Sequence, residues 1–469
     1  MVGPNYQTPE IEMPEQFTEG VGSISDEELC HWWKQFGDPK LDLLIEEVIL
    51  GNFEFRIALE QIIEARAQFQ IQSSMLFPTI DLNATTIRQR FSQNLFTTAQ
   101  NAQSFASGAT TSGIGAIAGP PVQDFFQAGF DAIWEIDFWG KFRRGKQAAY
   151  DQLEADQFLA SNILLTIIAE TARDYFVIRS LQQQIELLKK KVAADEREVD
   201  LLQALFDAGL DNEIQLQSQI AILDTDQAQL PILETSFKQM VYALAVLLGK
   251  QPEALSDVFT VAQPLPIFTG KVPIGLPSDL LRRRPDIRAS ERQLAAATEG
   301  IGIAVSALFP SISLTGNNYG YESNKANKLF HHKSTIWSIG PSVNWDLIDF
   351  GKTRGQIEEA NSMQRQALLS YEQTVIFALQ DVEGALVAYF EEQKRNGDLA
   401  NVVTAVEKSL ELTEDLLQAG LVSELQELEA LKTVFNAQTT YIQSEQAVAT
   451  DLISLYKALG GNWECCSTP

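Results

Sequence analysis

The chain has 469 residues, enough for two or three ordinary domains or for one large elongated domain. It carries 62 acidic and 35 basic residues, a formal net charge of -27, which argues against nucleic acid as a partner because phosphate binding requires clustered Lys and Arg. The same charge suits a surface or a lumen that attracts cations, and solubility alone explains it equally well.

Cysteine and histidine residues are too few and too scattered to predict a metal site or a disulfide framework. The cysteines are Cys30, Cys465 and Cys466, and no Cys-x-x-Cys pattern or Cys/His cluster exists. No stretch approaches the ~20 apolar residues of a transmembrane helix, and no signal peptide is visible at Met1. We therefore expect neither a helical membrane protein nor a cofactor, whereas a barrel of alternating strands stays open.

The chain divides into two halves in which the predicted elements follow the same order. We expect residues 1–40 to form an extended N-terminal segment and a belt that packs around the helices. Repeat 1 covers 41–249, with a helix over 41–75, strands over about 78–92 and 122–138, and a long helical hairpin over 141–249. A linker occupies 250–277, where several prolines exclude helix and central strand. Repeat 2 covers 278–460, with a helix over 278–307, strands over about 310–322 and 335–349, and a hairpin over 353–459, and residues 461–469 form a C-terminal tail.

Short matching segments support the two repeats. Leu76–Leu82 recurs as Leu308–Leu314, and Ala208-Gly209-Leu210 recurs as Ala419-Gly420-Leu421. Because several matches occur in one order, a repeated architecture explains them better than coincidence. The long Ala/Gly/Ser/Thr-rich loop around residues 97–119 has no counterpart of the same length in the second half.

The predicted strands alternate between apolar and polar residues. From Phe126 to Phe138 the even positions are apolar, and from Trp337 to Leu347 the odd positions are apolar. A period of two over this length indicates strands, and the length suits the ~9–11 residues that cross a bilayer at a tilt. A soluble sheet with one buried face gives the same alternation, but tryptophans near the strands and carboxylates on the opposite face favour a membrane barrel.

Helical spacing replaces the alternation after each second strand. The seam of apolar residues at intervals of three and four predicts a coiled coil, and each long helix ends at a short glycine turn, Gly209 or Gly420. The helices alone fit a soluble coiled-coil scaffold equally well. The alternating strands inserted between them count against that reading.

Three segments resemble the TolC-like outer-membrane factors, specifically the NodT-type lipoprotein branch that serves resistance-nodulation-division efflux pumps. The most specific segment is Gly275–Ile287, which is similar to the signature that opens the second repeat in that branch. Val2–Pro9 resembles the segment that follows the lipid-bearing cysteine, and Trp32–Pro39 resembles the N-terminal Trp-Trp motif. The acylated cysteine is absent and is expected at or just before Met1, and the Arg-Tyr-x-x-Gly turn of the family is replaced by Leu-Phe-Asp-Ala-Gly ending at Gly209.

The resemblance implies an α+β membrane protein of the Gram-negative outer membrane, in which a homotrimer forms a 12-stranded β-barrel continued by an α-helical periplasmic tunnel. The implied function is a passive exit duct of a tripartite efflux pump, not an enzyme. The implied partners are a periplasmic adaptor, an inner-membrane resistance-nodulation-division transporter and outer-membrane lipid. The exit duct of a type I secretion or heavy-metal efflux system is the alternative within this class.

The hairpin turns are the candidate functional site, as a periplasmic gate and as adaptor-docking tips. They contain two glycines and six acidic residues: Asp207, Gly209, Asp211 and Glu213 in one turn, and Glu414, Asp415, Gly420 and Glu424 in the other. Rings of carboxylates at a constriction attract cations, so we expect Asp211, Glu424 or both to line the closed gate. A solvated helix end explains any single one of these residues equally well.

Arg282, Arg283 and Arg284 form the other charged motif that the sequence singles out. A phosphate site would use such a run, but arginines at a helix start more often make structural ion pairs, here with Asp286 or Glu291. We find no Gly-x-Ser-x-Gly, phosphate loop, dinucleotide fingerprint or His-Glu-x-x-His motif in the sequence.

Overall fold

The structure is a computed structural model that describes residues 1–17, 29, 31–90, 122–266, 268 and 277–461. The cysteines, the loop around 97–119, residues 269–276 of the linker and residues 462–469 of the tail lie outside this description. The chain forms two compact units: unit 1 contains Met1–Tyr6, Ala67–Tyr150 and Ala296–Gln364, and unit 2 contains Gln7–Arg66, Asp151–Ala295 and Arg365–Pro469.

The helices and strands are numbered here in chain order. They are α1 (Pro39–Gly51), α2 (Phe53–Ser74), β1 (Thr79–Arg90), β2 (Val122–Ile136), α3 (Lys141–Asp207), α4 (Glu213–Leu247), α5 (Pro277–Arg283), α6 (Pro285–Ser306), β3 (Ser311–Ser323), β4 (Thr335–Asn344), α7 (Lys352–Gln418) and α8 (Glu424–Ala458). The two long helices α3 and α7 have 67 residues each, and the returning helices α4 and α8 have 35 residues each. Within the described ranges, no helix has both the length and the apolar composition needed to cross a membrane.

Unit 1 contains a four-stranded antiparallel sheet with the strand order β1-β2-β3-β4. Its register places apolar residues opposite each other on one face, with Leu82 opposite Phe130 and Trp134 opposite Leu314. The other face is polar, since Asp81 lies opposite Asp131. The apolar face is open in the single chain, because large side chains on it stay exposed, as with Ile80 (67%), Leu82 (70%) and Val343 (66%).

Unit 2 is helical, and aromatic side chains form part of its core. The Trp32 ring stacks on Tyr456 at a centroid distance of 5.1 Å, and Phe36 lies 4.8 Å from Phe176. These contacts join the short 3-10 helix Trp32–Phe36 to α3 and α8. The N-terminal Trp-Trp motif therefore packs within unit 2, since Trp32 and Trp33 are both buried.

Three predicted elements differ from the observed ones. The helix predicted over 41–75 is divided at Asn52, whose extended backbone ends α1 and whose Oδ1 accepts a hydrogen bond from Phe55 N at 2.9 Å, which starts α2. The helix predicted over 278–307 is divided before Pro285, because proline disfavours helical geometry at the residue before it and has no N–H to donate. The strand predicted over 335–349 ends at Asn344, and the chain turns through Phe350 at a φ of 51° before α7.

Burial of Asp174 on α3 predicts a pH-dependent stability. Desolvation raises the pKa of Asp174 from 3.8 to about 6, against the opposing effect of Arg173, whose Nε lies 3.9 Å from the carboxylate. The folded protein therefore binds more protons than the unfolded chain between these two values, so the free energy of unfolding falls as pH rises from about 4 to about 6. We expect Asp174→Asn to raise the unfolding midpoint at pH 8. The change in the free energy of unfolding that it causes should be more favourable at pH 8 than at pH 4, by as much as about 3 kcal/mol.

The matched control for this prediction is Asp200→Asn, which removes an exposed carboxylate further along the same helix. It should leave the difference in midpoint between pH 8 and pH 4 close to that of the parent protein. Thermal unfolding followed by circular dichroism at the two pH values makes the comparison. A destabilisation by Asp174→Asn that is equal at both pH values would contradict the prediction.

Candidate functional site

Both long helices end in the same hydrogen-bonded turn. After α3, Gly209 N donates to Phe206 O at 2.9 Å and Leu210 N donates to Leu205 O at 2.9 Å. After α7, Gly420 N donates to Leu417 O at 2.8 Å and Leu421 N donates to Leu416 O at 2.9 Å. This is the Schellman pattern, which needs a residue with positive φ, and the φ angles are 72° at Gly209 and 73° at Gly420.

The returning helices begin with side-chain caps. Asn212 Oδ1 accepts from Gln215 N at 3.1 Å at the start of α4. Ser423 and Gln426 form a capping box at the start of α8, in which Ser423 N donates to Gln426 Oε1 at 3.2 Å. These caps satisfy backbone N–H groups that the helices leave free, so the two turns are defined by local sequence.

The six predicted carboxylates all lie in or beside these turns. Asp207 ends α3, Asp211 lies in the turn and Glu213 begins α4, whereas Glu414 and Asp415 lie near the end of α7 and Glu424 begins α8. All are exposed except Asp211, which is half-buried. Asp207 accepts from Gln203 Nε2 at 2.9 Å, and Asp211 Oδ1 accepts from Asn212 N at 2.7 Å.

The structure places three of the six acidic residues in or beside each turn. Among the described residues, no hydrogen bond or ion pair connects a carboxylate of the first turn with the second turn. Glu213 and Glu424 lie at helix N-termini, where the helix dipole favours a negative charge. Their placement is therefore compatible with local stabilisation as well as with a role at a gate.

Exposed apolar residues at the turns were missed by the sequence analysis. Leu210 is 75% exposed, Ile214 is 79% exposed and Leu421 is 72% exposed. Leu210 and Leu421 each follow the turn glycine directly, and this position is the sequence feature from which their exposure could have been predicted. Each tip thus presents an uncovered apolar side chain beside carboxylates.

A second missed feature is a buried charged cluster that joins α3, α4 and α8 within unit 2. Lys432 Nζ on α8 lies 2.5 Å from Glu198 Oε2 and 3.7 Å from Asp195 Oδ1, both on α3. Gln219 Nε2 on α4 donates to Asp195 Oδ1 at 3.0 Å. Burial raises the pKa of Asp195, and its contact with Asp226 raises it further. Lys432 therefore links the second hairpin to the first.

Two of the three consecutive arginines form ion pairs: Arg283 Nη1 lies 3.8 Å from Asp279 Oδ2, and Arg284 makes closer contacts. Arg284 Nη2 lies 2.6 Å from Asp286 Oδ2 and 3.1 Å from Asp381 Oδ2, and Arg284 Nη1 donates to Ala458 O at 3.1 Å. These contacts join the start of α6 to α7 and α8. In the part of the chain that the structure describes, no group of three or more His, Cys, Asp or Glu side chains is arranged to hold a metal ion.

Comparison with known proteins gives consistent matches over nearly the whole chain. The family model described as outer membrane efflux protein matches residues 44–250 and 276–461. The chain is 28% identical to the pyoverdine export outer membrane protein OpmQ of Pseudomonas aeruginosa, over 95% of this chain and 90% of that protein. It is 28% identical to the solvent efflux pump outer membrane protein SrpC of Pseudomonas putida, over 98% of this chain and 95% of that protein.

A solved structure of the outer-membrane channel OprN has the same fold. The two superpose with a TM-score of 0.86 at 28% sequence identity, and the match covers 99% of each chain. The similarity therefore includes both units.

Proposed function

The chain belongs to the outer membrane efflux protein family, and from this premise we propose that it is the passive exit duct of a tripartite efflux pump for small solutes. Three copies form a 12-stranded barrel in the outer membrane, continued by an α-helical tunnel through the periplasm. The tips at Gly209 and Gly420 receive a periplasmic adaptor that connects the duct to an inner-membrane transporter of the resistance-nodulation-division class. The relatives named above are described as exporting pyoverdine or solvents, and small organic solutes are the cargo class we propose here.

The open apolar face of the sheet is the observation that carries the proposal. In water such a face would be covered by other parts of the chain, yet Ile80, Leu82 and Val343 stay about two-thirds exposed. The opposite face carries Asp81 and Asp131, as a water-filled lumen requires. Lipid therefore covers the first face and water covers the second.

The number of strands supports a trimer. The four-stranded sheet ends in the edge strands β1 and β4, and lipid tolerates no open sheet edge, since unpaired backbone groups find no water there. Four strands are too few for a closed barrel, because small barrels begin near eight strands. If β4 of each copy pairs with β1 of the next copy, three copies close a barrel by cyclic symmetry. This is the simplest arrangement that leaves no open sheet edge.

Mass and solubility test the proposal. We expect the purified protein to need detergent and to have the mass of a trimer by light scattering after the contribution of detergent is subtracted. The trimer should then conduct ions in a planar bilayer. A monodisperse monomer or dimer without detergent would overturn the barrel, and a coiled-coil scaffold would become the better interpretation.

Removal of carboxylates at the tips should change ion selectivity. We expect Asp211→Ala combined with Glu424→Ala to lower the preference for cations over anions severalfold, because rings of carboxylates at a constriction attract cations. The reversal potential across a salt gradient measures this preference. The matched control is Glu186→Ala combined with Glu234→Ala, which removes two exposed carboxylates from the shafts of α3 and α4. Equal selectivity in both double variants would contradict the assignment of Asp211 and Glu424 to the gate.

A further inference from the structure

The connection between β3 and β4, residues 324–334, is a basic exposed segment beside the sheet, and we call it the basic loop. It lies at the end of the sheet where β1 is also connected to β2, because β1 and β3 run toward this end and β2 and β4 run away from it. The helices α3 and α7 leave from the opposite end, after β2 and β4. In the proposed duct, the basic loop is therefore on the outer side of the membrane.

The charge of the basic loop is opposite to that of the chain. From Ser323 to Trp345 the sequence contains Lys325, Lys328 and Lys333, two histidines and no acidic residue, in a protein of net charge -27. Within the described ranges none of the three lysines forms an ion pair, and all three are exposed.

The neighbouring strands do not neutralise this charge. Arg88 and Arg90 end β1 at the same end of the sheet, and the acidic residues at this end are Asp124, which lies 3.6 Å from Arg88, and Glu322. The sequence that connects Arg90 to Asp124 contains no charged residue at all. The outer end of the described sheet therefore carries a net positive charge.

Short hydrogen-bonded turns hold the basic loop in one conformation. Lys328 N donates to Lys325 O at 3.0 Å, Ser334 Oγ donates to Lys328 O at 2.8 Å, and Thr335 Oγ1 donates to His332 O at 2.9 Å. The ring of Phe330 meets Tyr321 edge-on at 5.5 Å and is nevertheless 74% exposed. The three lysines thus lie within five residues of an exposed aromatic side chain in an ordered loop, which reduces the entropy lost when a ligand binds.

We propose that the basic loop binds the phosphate groups of an anionic glycolipid in the outer leaflet. Lysine ammonium groups bind phosphate as point charges, and each one beside an anionic lipid surface adds favourable energy. Aromatic side chains flank the apolar band of membrane barrels at both interfaces, and the exposed Phe330 supplies one next to the lysines in sequence. The bound glycolipid holds the outer rim of the barrel in the outer leaflet. The basic loop thereby gives a protein of net negative charge a favourable contact with a membrane that is also negatively charged.

Titration of the detergent-solubilised protein with diphosphoryl lipid A in neutral mixed micelles tests this proposal. We expect the triple variant Lys325→Gln, Lys328→Gln, Lys333→Gln to weaken binding about a hundredfold, from the attraction of about 1 kcal/mol that each lysine contributes. The control variant Lys189→Gln, Lys190→Gln, Lys408→Gln removes the same charge from helices in unit 2, where these side chains are more than half exposed. It should bind lipid A as the parent protein does. Equal weakening in both variants would overturn the proposal in favour of unspecific charge attraction.

Two further ligands separate the possible sources of the phosphate. We expect the parent protein to bind dephosphorylated lipid A about a hundredfold more weakly than diphosphoryl lipid A. Equal affinity for the two lipids would overturn the role of phosphate. Inorganic phosphate alone should not compete at millimolar concentration, and full competition would assign the loop to free phosphate instead of lipid. The proposal rests on the proposed barrel, but the two fail separately, because failure of the barrel shows as a protein that needs no detergent.

Discussion

Arg144→Ala is expected to lower the free energy of unfolding by about 3–5 kcal/mol, because it leaves a buried carboxylate without its partner. Arg144 is 2% exposed, and its Nη1 lies 2.9 Å from Oε1 and 2.8 Å from Oε2 of Glu299. Its Nη2 donates to Asn5 Oδ1 at 2.9 Å and to Gly3 O at 3.2 Å. One guanidinium therefore ties the start of α3 to α6 and to the N-terminal segment of unit 1.

The neighbouring residue supplies the control. Arg143 pairs with Asp137 at 3.1 Å, but its side chain is 48% exposed, so water screens the pair and Arg143→Ala should cost no more than about 1 kcal/mol. Urea unfolding of the detergent-solubilised protein compares the two. The double variant Arg144→Met, Glu299→Leu should recover most of the loss, because an apolar pair of similar volume needs no compensating charge. Equal midpoints for Arg144→Ala and Arg143→Ala would contradict the assignment.

The parts of the fold that depend on local spacing were readable from the sequence. The alternation from Phe126 to Phe138 predicted a strand, and β2 spans Val122–Ile136. The glycines at 209 and 420 predicted the ends of long helices, and both adopt the left-handed backbone that only glycine enters without strain. In each case, the residues that determine the element are within a few positions of each other.

Features that depend on distant partners were not readable. Arg144 and Glu299 are 155 residues apart, and Lys432 contacts Glu198 on a different hairpin, so no spacing rule connects them. The turn after Asn344 was missed because Trp345 and Leu347 continue the alternation while the backbone already leaves the sheet. The break at Asn52 was missed because it involves a distant partner: its Nδ2 donates to Leu247 O at the end of α4 at 2.8 Å, while its Oδ1 caps α2.

Arg179→Met is expected to destabilise unit 2 and to release the segment that follows α4. Arg179 is fully buried on α3, and its Nη2 donates to Gln263 Oε1 at 2.6 Å while its Nη1 donates to Gln182 Oε1 at 2.9 Å. Its Nε donates to Tyr175 Oη at 3.0 Å, and the Tyr175 hydroxyl donates to Asp38 Oδ2. Burial is the larger cause and the hydrogen bond to Asp38 the next of a raised pKa of Tyr175. The phenol therefore stays protonated and connects the arginine to the carboxylate through its two hydrogen bonds.

The loss on Arg179→Met should be about 3–5 kcal/mol, because the buried acceptors on Gln182, Gln263 and Tyr175 lose a charged donor together. Arg197→Met is the control, since that side chain is exposed on the same helix and its loss should change stability by no more than about 0.5 kcal/mol. Hydrogen exchange gives the local readout: amides of residues 259–263 should exchange faster in Arg179→Met, because Phe259, whose ring centroid lies 5.4 Å from the guanidinium, loses that contact. A uniform rise in exchange over the whole of unit 2 would instead indicate that Arg179 contributes to global stability without anchoring this segment.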